Sequence, residues 1–229
     1  MSYYFMFVIL FFIIAYFVDA YEKKELPHFF KASAILALAA VVGVCVNISN
    51  LYHTYEYSKE TMRGKSELKQ EGPAANQTSS GLDRDYITNW SYGIGETLTL
   101  LVPNVKGGGC STTLSQNETA MAKANPMYGN LYSQLTPYFG DQPWTAGPVY
   151  VGAFVVFLFI LGCFIVKGPL KWALLGATIF SILLSWGKNF MGLTDFFIDY
   201  IPMYNKFRAV SSILVIAEFT IPLLAIFAL

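Results

Sequence analysis

The sequence predicts an all-α polytopic membrane protein of about five transmembrane helices, with a large extracytoplasmic insert between the second and the third. The composition supports this, because 55% of the residues are hydrophobic and only 13% are charged, a balance too apolar for an ordinary soluble domain. A helix needs roughly 20 mainly apolar residues to cross the hydrocarbon core, and it satisfies its own backbone groups in lipid. The apolar runs that meet or approach this length are residues 3–18, 29–48, 149–166, 172–186 and 210–229.

Three parts follow one another along the chain. Residues 1–49 are predicted to form a transmembrane helix pair, and residues 50–147 a polar extracytoplasmic domain. Residues 148–229 are predicted to form three further transmembrane helices, with an extracytoplasmic amphipathic segment at 187–208. The formal net charge of zero gives no argument for a nucleic-acid partner. The three cysteines lack metal-ligand spacing and are expected to be free thiols.

Lysines in two short connections predict the orientation. Lys23 and Lys24 lie between the first and second runs, and Lys167 and Lys171 lie between the third and fourth. Because positive charge in short loops favours the cytoplasmic side, both connections are expected inside. The insert and the segment at 187–208 are then expected together on the outer face, where we expect the chemistry.

Within the insert, residues 51–63 predict a helix whose tyrosines favour the membrane interface. Residues 71–81 have the composition of a flexible linker. Residues 97–102 predict a short helix or strand that Pro103 ends. Three glycines at 107–109 permit unusual backbone angles and the close approach of a ligand. They lack the Lys-Ser/Thr ending of a phosphate-binding P-loop, and structural flexibility is the simpler interpretation.

Three carboxylates are candidate substrate-binding groups. Asp195 and Asp199 are four residues apart, so they share a face if this segment is helical. Such a pair fits a metal or an acid–base role, whereas the polar side of an interfacial helix is the simpler interpretation. Glu218 falls inside the fifth apolar run. A carboxylate there costs roughly 3 kcal/mol, so it is expected to face a protein interior or wet cavity, or to hydrogen-bond a neighbouring helix.

Two basic residues, Lys206 and Arg208, stand where the chain is expected to re-enter the membrane. Arg208 either extends to the lipid headgroups, as basic residues at span ends do, or binds a lipid-linked phosphate with its planar donors. The residues alone leave both interpretations open. The sequence contains no self-sufficient catalytic constellation and no metal-binding motif, so the catalytic residues stay unknown.

Three short motifs occur in order along the chain. They are residues 90–105 with Glu96 before Leu-Thr-Leu-Leu-Val-Pro103, then residues 138–150, and then Ile201-Pro-Met-Tyr-Asn-Lys-Phe-Arg208. Together they resemble YfhO-type bacterial membrane proteins, in versions similar to those of Bacteroidetes. The resemblance covers nearly the whole chain but only a middle portion of the longer family members, so we expect an internal fragment.

The resemblance implies a helix bundle of the GT-C glycosyltransferase class in the bacterial cytoplasmic (inner) membrane. Its expected partners are membrane lipid, a polyprenyl-phosphate sugar donor, and an envelope glycan or lipid acceptor. It implies no cofactor, although a divalent metal stays open. By resemblance Arg208, with Lys206, binds the carrier phosphate, and Glu96 matches a recurrent acidic position. The catalytic carboxylate is expected before Met1, and Val210 stands where many members have proline.

Two other functions stay open. In a lipid or polysaccharide transporter, Glu218 beside Pro222 would line a pathway and respond to protonation. In a non-catalytic scaffold for envelope assembly, the insert would bind partners without any transfer step.

Overall fold

The computed structural model describes residues 2–61 and 82–229, and every regular element within them is helical. The expected linker at residues 71–81 lies outside the described residues. The α-helices are α1 (Ser2–Glu22), α2 (Leu26–Val46), α3 (Ile48–Lys59), α4 (Arg84–Thr88), α5 (Glu118–Lys123), α6 (Gly129–Tyr132), α7 (Ala153–Ile165), α8 (Pro169–Ser185), α9 (Met191–Tyr200) and α10 (Val215–Ile226). Short 3₁₀ helices include Gly95–Leu100, Gly187–Phe190, Tyr204–Lys206 and Val210–Leu214.

Two helices, Tyr3–Glu22 and Leu26–Val46, are long and apolar enough to cross a membrane. A third candidate is the pair Pro169–Ser185 and Gly187–Tyr200, if this pair, bent by 107°, is one broken span. Helix α7 is apolar but has only 13 residues, because Gly152 (φ +111°) ends an extended stretch before it. The all-helical prediction is confirmed in the described residues, whereas five spans stay a prediction.

Helices α1, α8, α10 and α7 pack side by side in that order. Small residues bring their backbones close, as membrane helix pairs commonly require. A side chain at Gly162 of α7 would come within 2.9 Å of the Leu224 carbonyl oxygen of α10. Between α8 and α10 the buried hydroxyls of Thr178 and Thr220 lie 2.7 Å apart, in hydrogen-bond contact. Helix α10 is therefore packed closely against α7, and the buried hydroxyls between α8 and α10 have hydrogen-bond partners within the protein.

The two N-terminal helices differ in how much of their apolar surface is covered. Helix α1 buries Tyr4 and Val8 in the core, and its Phe7 ring packs 5.8 Å from that of Phe197 in α9. Helix α2 has no buried residue, although it is equally apolar, so its surface suits a lipid environment.

Helix α3 begins at Ile48 and ends at Lys59, whereas residues 51–63 were expected to be helical. Its three tyrosines at 52, 55 and 57 are exposed, which fits the predicted interfacial role. Residues 62 and 63 lie outside the described residues.

A sharp turn joins α8 to the segment that carries α9. Gly187 has a φ of +45°, and a Cβ there would collide with the Ser91 hydroxyl and with Val210. Only glycine fits this position without strain. The turn directs α9 toward the insert, and it brings the two polar segments of the chain together.

Candidate functional site

The insert and the segment after α8 meet through a set of hydrogen bonds. The Lys188 backbone N–H donates to the Ser91 hydroxyl at 2.8 Å. The Asn189 amide donates to the Tyr92 carbonyl at 3.0 Å, and the Tyr92 N–H donates to the Ser185 carbonyl at 2.9 Å. The two segments that the sequence predicts on one face therefore lie in contact, and the candidate site residues lie around this junction.

Arg208 is exposed and rests on two aromatic rings, an arrangement that we call the Arg208 platform (Arg208, Tyr86 and Trp90). Its guanidinium carbon lies 4.0 Å from the centre of the Trp90 ring and 5.1 Å from that of Tyr86. One terminal nitrogen donates to the Tyr86 hydroxyl at 2.9 Å. Among the described residues, no carboxylate forms an ion pair with Arg208. Stacking orients the guanidinium plane without cancelling its charge.

Two hydrogen bonds of Trp90 and the backbone conformation of Ala209 hold this platform in place. The Trp90 indole N–H donates to the Trp144 carbonyl at 3.2 Å, and the Trp90 carbonyl accepts from the Ser211 N–H at 3.1 Å. Ala209, directly after the arginine, has a φ of +67°, a conformation that non-glycine residues adopt only when their surroundings enforce it. Val210, the residue that departs from the motif, is buried and begins a 3₁₀ helix.

Asp195 and Asp199 share a face of α9, as their spacing predicts, and both bind one arginine. Arg84 donates to Asp195 Oδ1 at 2.6 Å and to Asp199 Oδ1 at 2.7 Å. We call these three residues the Arg84 clamp. The arginine is 19% exposed, and the aspartates are 43% and 47% exposed. Both aspartates are therefore ion-paired with Arg84, and across residues 2–61 and 82–229 no group of three His, Cys, Asp or Glu side chains could hold a metal ion.

Glu96 is buried, with only 2% of its surface exposed, and each of its oxygens accepts a hydrogen bond. Gly93 donates its N–H at 2.6 Å, and Tyr138 donates its hydroxyl at 2.5 Å. Burial and the Glu96 carboxylate raise the pKa of Tyr138, which keeps this phenol protonated as a donor. A Cβ at Gly140 would collide with both Glu96 and Tyr138. Glu96 thus joins two of the resemblance motifs and is not open to solvent.

Lys206 ends the 3₁₀ helix Tyr204–Lys206, two residues before Arg208. The chain around it is tied to the insert, because the Leu82 N–H donates to the Asn205 carbonyl at 3.0 Å. Lys206 is half-buried, and burial lowers the pKa of its ammonium group. It is therefore less open to solvent than Arg208.

Glu218 is exposed in the first turn of α10, which begins at Val215. The sequence placed it well inside a span from 210 to 229, but residues 210–214 form a 3₁₀ helix and move the α-helix start toward it. Burial raises the pKa of Tyr92 to about 12, and the charges of Glu96 and Glu218 add to that rise. Tyr92 of the insert is also buried in one cluster with Leu214 and Ala217, so Glu218 lies near the insert, in the first turn of its helix.

Asp141 is an exposed carboxylate at the same junction, which the sequence treats only as part of a turn. Its Oδ2 accepts from the Asn189 amide at 3.0 Å, and its carbonyl accepts from the Lys188 ammonium at 3.2 Å. Sequence reasoning also assigned no role to Arg84 or Trp90. The sequence did point to Trp90, because it is the first residue of the motif at 90–105. The interactions of Arg84 and Asp141 depend on residues distant in the chain and could not be predicted from local sequence.

No protein-family model, curated protein or solved structure matches this chain. The geometry separates the predicted residues into two groups. Asp195, Asp199 and Glu96 are engaged by donors within the chain, whereas Arg208 carries an exposed charge that no described carboxylate neutralises.

Proposed function

We propose that this chain is part of an integral membrane glycosyltransferase of the YfhO type. It transfers a sugar from a polyprenyl-phosphate carrier to an envelope glycan or lipid, on the extracytoplasmic side of the bacterial inner membrane. The observation that carries the proposal is the exposed Arg208, oriented on two aromatic rings. The proposal includes about five spans, with residues 149–152 and 227–229 adding apolar length beside α7 and α10.

The platform suits a phosphate for reasons of charge and shape. A guanidinium presents five N–H donors in a planar fork that matches two oxygens of a phosphate. Only one described hydrogen bond uses an Arg208 nitrogen, the bond to Tyr86. The rings beneath the plane reduce the conformational entropy lost when an anion binds, so most of the fork is available to a ligand.

The platform also lies at one end of the apolar bundle. The Tyr3 ring at the start of α1 stacks 4.8 Å from that of Phe207, the neighbour of Arg208. The Tyr3 hydroxyl donates to the Pro202 carbonyl at 2.9 Å. Tyrosines are favoured where hydrocarbon meets the headgroups. A carrier phosphate at that depth would reach Arg208 while its polyprenyl tail lay along the helices.

In the proposed reaction an acceptor hydroxyl attacks the anomeric carbon and the bond to the carrier phosphate breaks. The leaving phosphate gains negative charge, which a fixed cation such as Arg208 stabilises in the transition state. A base removes the proton from the attacking hydroxyl. We assign that step to none of Asp195, Asp199 or Glu96, because each already accepts hydrogen bonds within the chain.

A second candidate is a non-catalytic scaffold for envelope assembly. The same three engaged carboxylates favour it, because Asp195 and Asp199 tie α9 to the insert and Glu96 ties two segments of the insert together. In this function Arg208 would bind a lipid phosphate without any bond being broken.

Arg208→Ala in the full-length protein tests the proposal. With a radiolabelled polyprenyl-phosphate sugar, we expect the transfer rate to fall by about 100-fold or more, the loss typical of removing one charge-stabilising donor. Arg208→Lys is expected to keep part of the rate, because it retains charge without the fork. Lys123→Ala, which removes an exposed charge in α5, is the matched control and should stay within about twofold of the parent.

Near-normal transfer by Arg208→Ala would overturn the role of the platform. A parent protein that binds the labelled carrier through Arg208 but never releases the sugar to an acceptor would favour the scaffold instead.

A further inference from the structure

A large open cleft lies in the insert, between residues 104–118 and 137–148. The volume that it offers to a ligand is about 680 Å³, which lies within the roughly 300–1,000 Å³ of ordinary small-molecule sites and is enough for a few sugar rings. Among its described lining, the only formally charged side chain is Glu118. The other polar side chains that line it include Ser111, Thr112, Thr113, Gln116 and Asn117.

The walls of the cleft are fixed by backbone contacts. Gly107 has a φ of +87°, and a Cβ there would collide with the Pro137 carbonyl. The Cys110 N–H donates to the Thr145 carbonyl at 2.8 Å, and the Leu114 N–H donates to the Leu135 carbonyl at 2.9 Å. The glycine run that the sequence treats as flexible is therefore packed between two chain segments, so the cleft has a defined shape.

The lining selects the chemistry of a ligand. Hydroxyl and amide side chains each donate and accept hydrogen bonds, as do the hydroxyls of a sugar. Nucleic acids require arginine and lysine contacts to phosphate, and no such side chain lines the described cleft. An extended peptide that binds by strand addition needs a sheet edge, and the described residues contain no strand. A neutral, hydroxyl-rich ligand is the class that fits.

The cleft adjoins a much smaller cavity of about 10 Å³, which has room for about one water molecule. The two share Gly108, Gly147 and Pro148 in their linings. The smaller cavity is lined on its other side by Glu96 and Lys106. A chain bound in the cleft would therefore have one end close to the junction that also holds the Arg208 platform.

We infer that this cleft binds a neutral glycan segment, and that this glycan is the acceptor. The acceptor role rests on the proposed function, whereas glycan binding by itself does not. Asn117 and Gln116 supply amides on one wall, and the backbone of the glycine run supplies N–H and C=O groups on the other.

Binding to the full-length protein in detergent tests this inference. The probes are fluorescently labelled cellopentaose, chitopentaose and maltopentaose, with pentagalacturonate as the acidic comparison. We expect at least one neutral probe to bind with a Kd of about 1 mM or tighter, and the acidic probe to bind at least tenfold more weakly because of Glu118.

Thr112→Trp is expected to block the cleft and weaken neutral binding at least tenfold, because Thr112 is exposed on its wall. Thr119→Trp is the matched control: the same change at an exposed position of α5 outside the lining should alter the Kd by less than twofold. Equal gel-filtration profiles check that both variants fold.

The inference is overturned if no neutral probe binds by about 10 mM, or if Thr112→Trp binds like the parent. If neutral glycan binds in the cleft but the protein transfers no labelled sugar, the glycosyltransferase proposal fails and the cleft stands. If transfer occurs and the KM for acceptor is unchanged in Thr112→Trp, the cleft assignment alone fails.

Discussion

Two arginines, Arg84 in the insert and Arg208 in contact with it, have opposite surroundings. In the Arg84 clamp the guanidinium is mostly covered and bonds two carboxylates at 2.6 and 2.7 Å. In the Arg208 platform the guanidinium is exposed and contacts aromatic faces. A neutralised arginine stabilises structure, whereas an oriented arginine with uncancelled charge is suited to an anion. The comparison separates a structural role from a binding role for the same residue type.

The two arrangements are physically connected through α4. Arg84 and Tyr86 both belong to this five-residue helix, so the clamp that fixes α4 against α9 also positions the ring that receives Arg208. Isolated helices of this length are unstable in water. The clamp therefore supplies part of the order on which the platform depends.

The largest expected effect is the difference in stability between two variants, Arg84→Met and Arg208→Met. Arg84→Met leaves two carboxylates without their donor, and we expect a loss of about 2 kcal/mol after allowing for solvent screening. This corresponds to a Tm lower by roughly 4–8 °C. Arg208→Met removes no ion pair and should change the Tm by less than about 2 °C. Thermal unfolding followed by tryptophan fluorescence checks both, and equal shifts would contradict the comparison.

Smaller effects are expected from the aspartates taken singly. Asp195→Asn and Asp199→Asn each remove one charge but leave Arg84 the other carboxylate, so each should lower the stability by about 0.5–1 kcal/mol. Adding salt to about 0.5 M should shrink the difference between variant and parent, because the aspartates are partly exposed and screened. If either single change destabilised the protein as much as Arg84→Met does, the remaining aspartate would not be compensating for the lost one, and the prediction would be wrong.

The smallest expected effect concerns the ring beneath Arg208. Trp90→Leu removes a cation–π contact worth about 0.5–1 kcal/mol at an exposed site. If the proposed function holds, we expect the KM for the proposed polyprenyl-phosphate donor to rise about two- to fivefold with kcat little changed. The conservative Trp90→Phe should restore most of the lost affinity. A fall in kcat with an unchanged KM would mean that the ring acts on the transition state alone.

The sequence predicted correctly those features that depend on a single short segment of the chain. The apolar runs at the N-terminus predicted α1 and α2, and the four-residue spacing of Asp195 and Asp199 predicted their common face, which their shared contact with Arg84 demonstrates. Residues 97–102 were expected to be a short helix or strand, and the structure has a 3₁₀ helix at Gly95–Leu100. In each case local periodicity or a proline carries the information.

The sequence could not predict which charges meet. Arg84 lies 111 residues before Asp195, and no spacing rule reaches that far along a chain. The boundaries of α10 were also misjudged, because residues 210–214 are as apolar as the helix they precede and only tertiary packing makes them 3₁₀. The length of apolar runs therefore overestimates helix length where a run includes a packed turn.

The turn at Gly187 has a mechanical consequence. Helix α9 has 10 residues and is therefore about 15 Å long, so pivoting it by about 10° would swing its far end roughly 2.5 Å. That displacement exceeds the slack in a hydrogen bond, and Asp199 would separate from Arg84. Because Arg84 and Tyr86 share α4, loss of this ion pair would also loosen the ring that contacts Arg208.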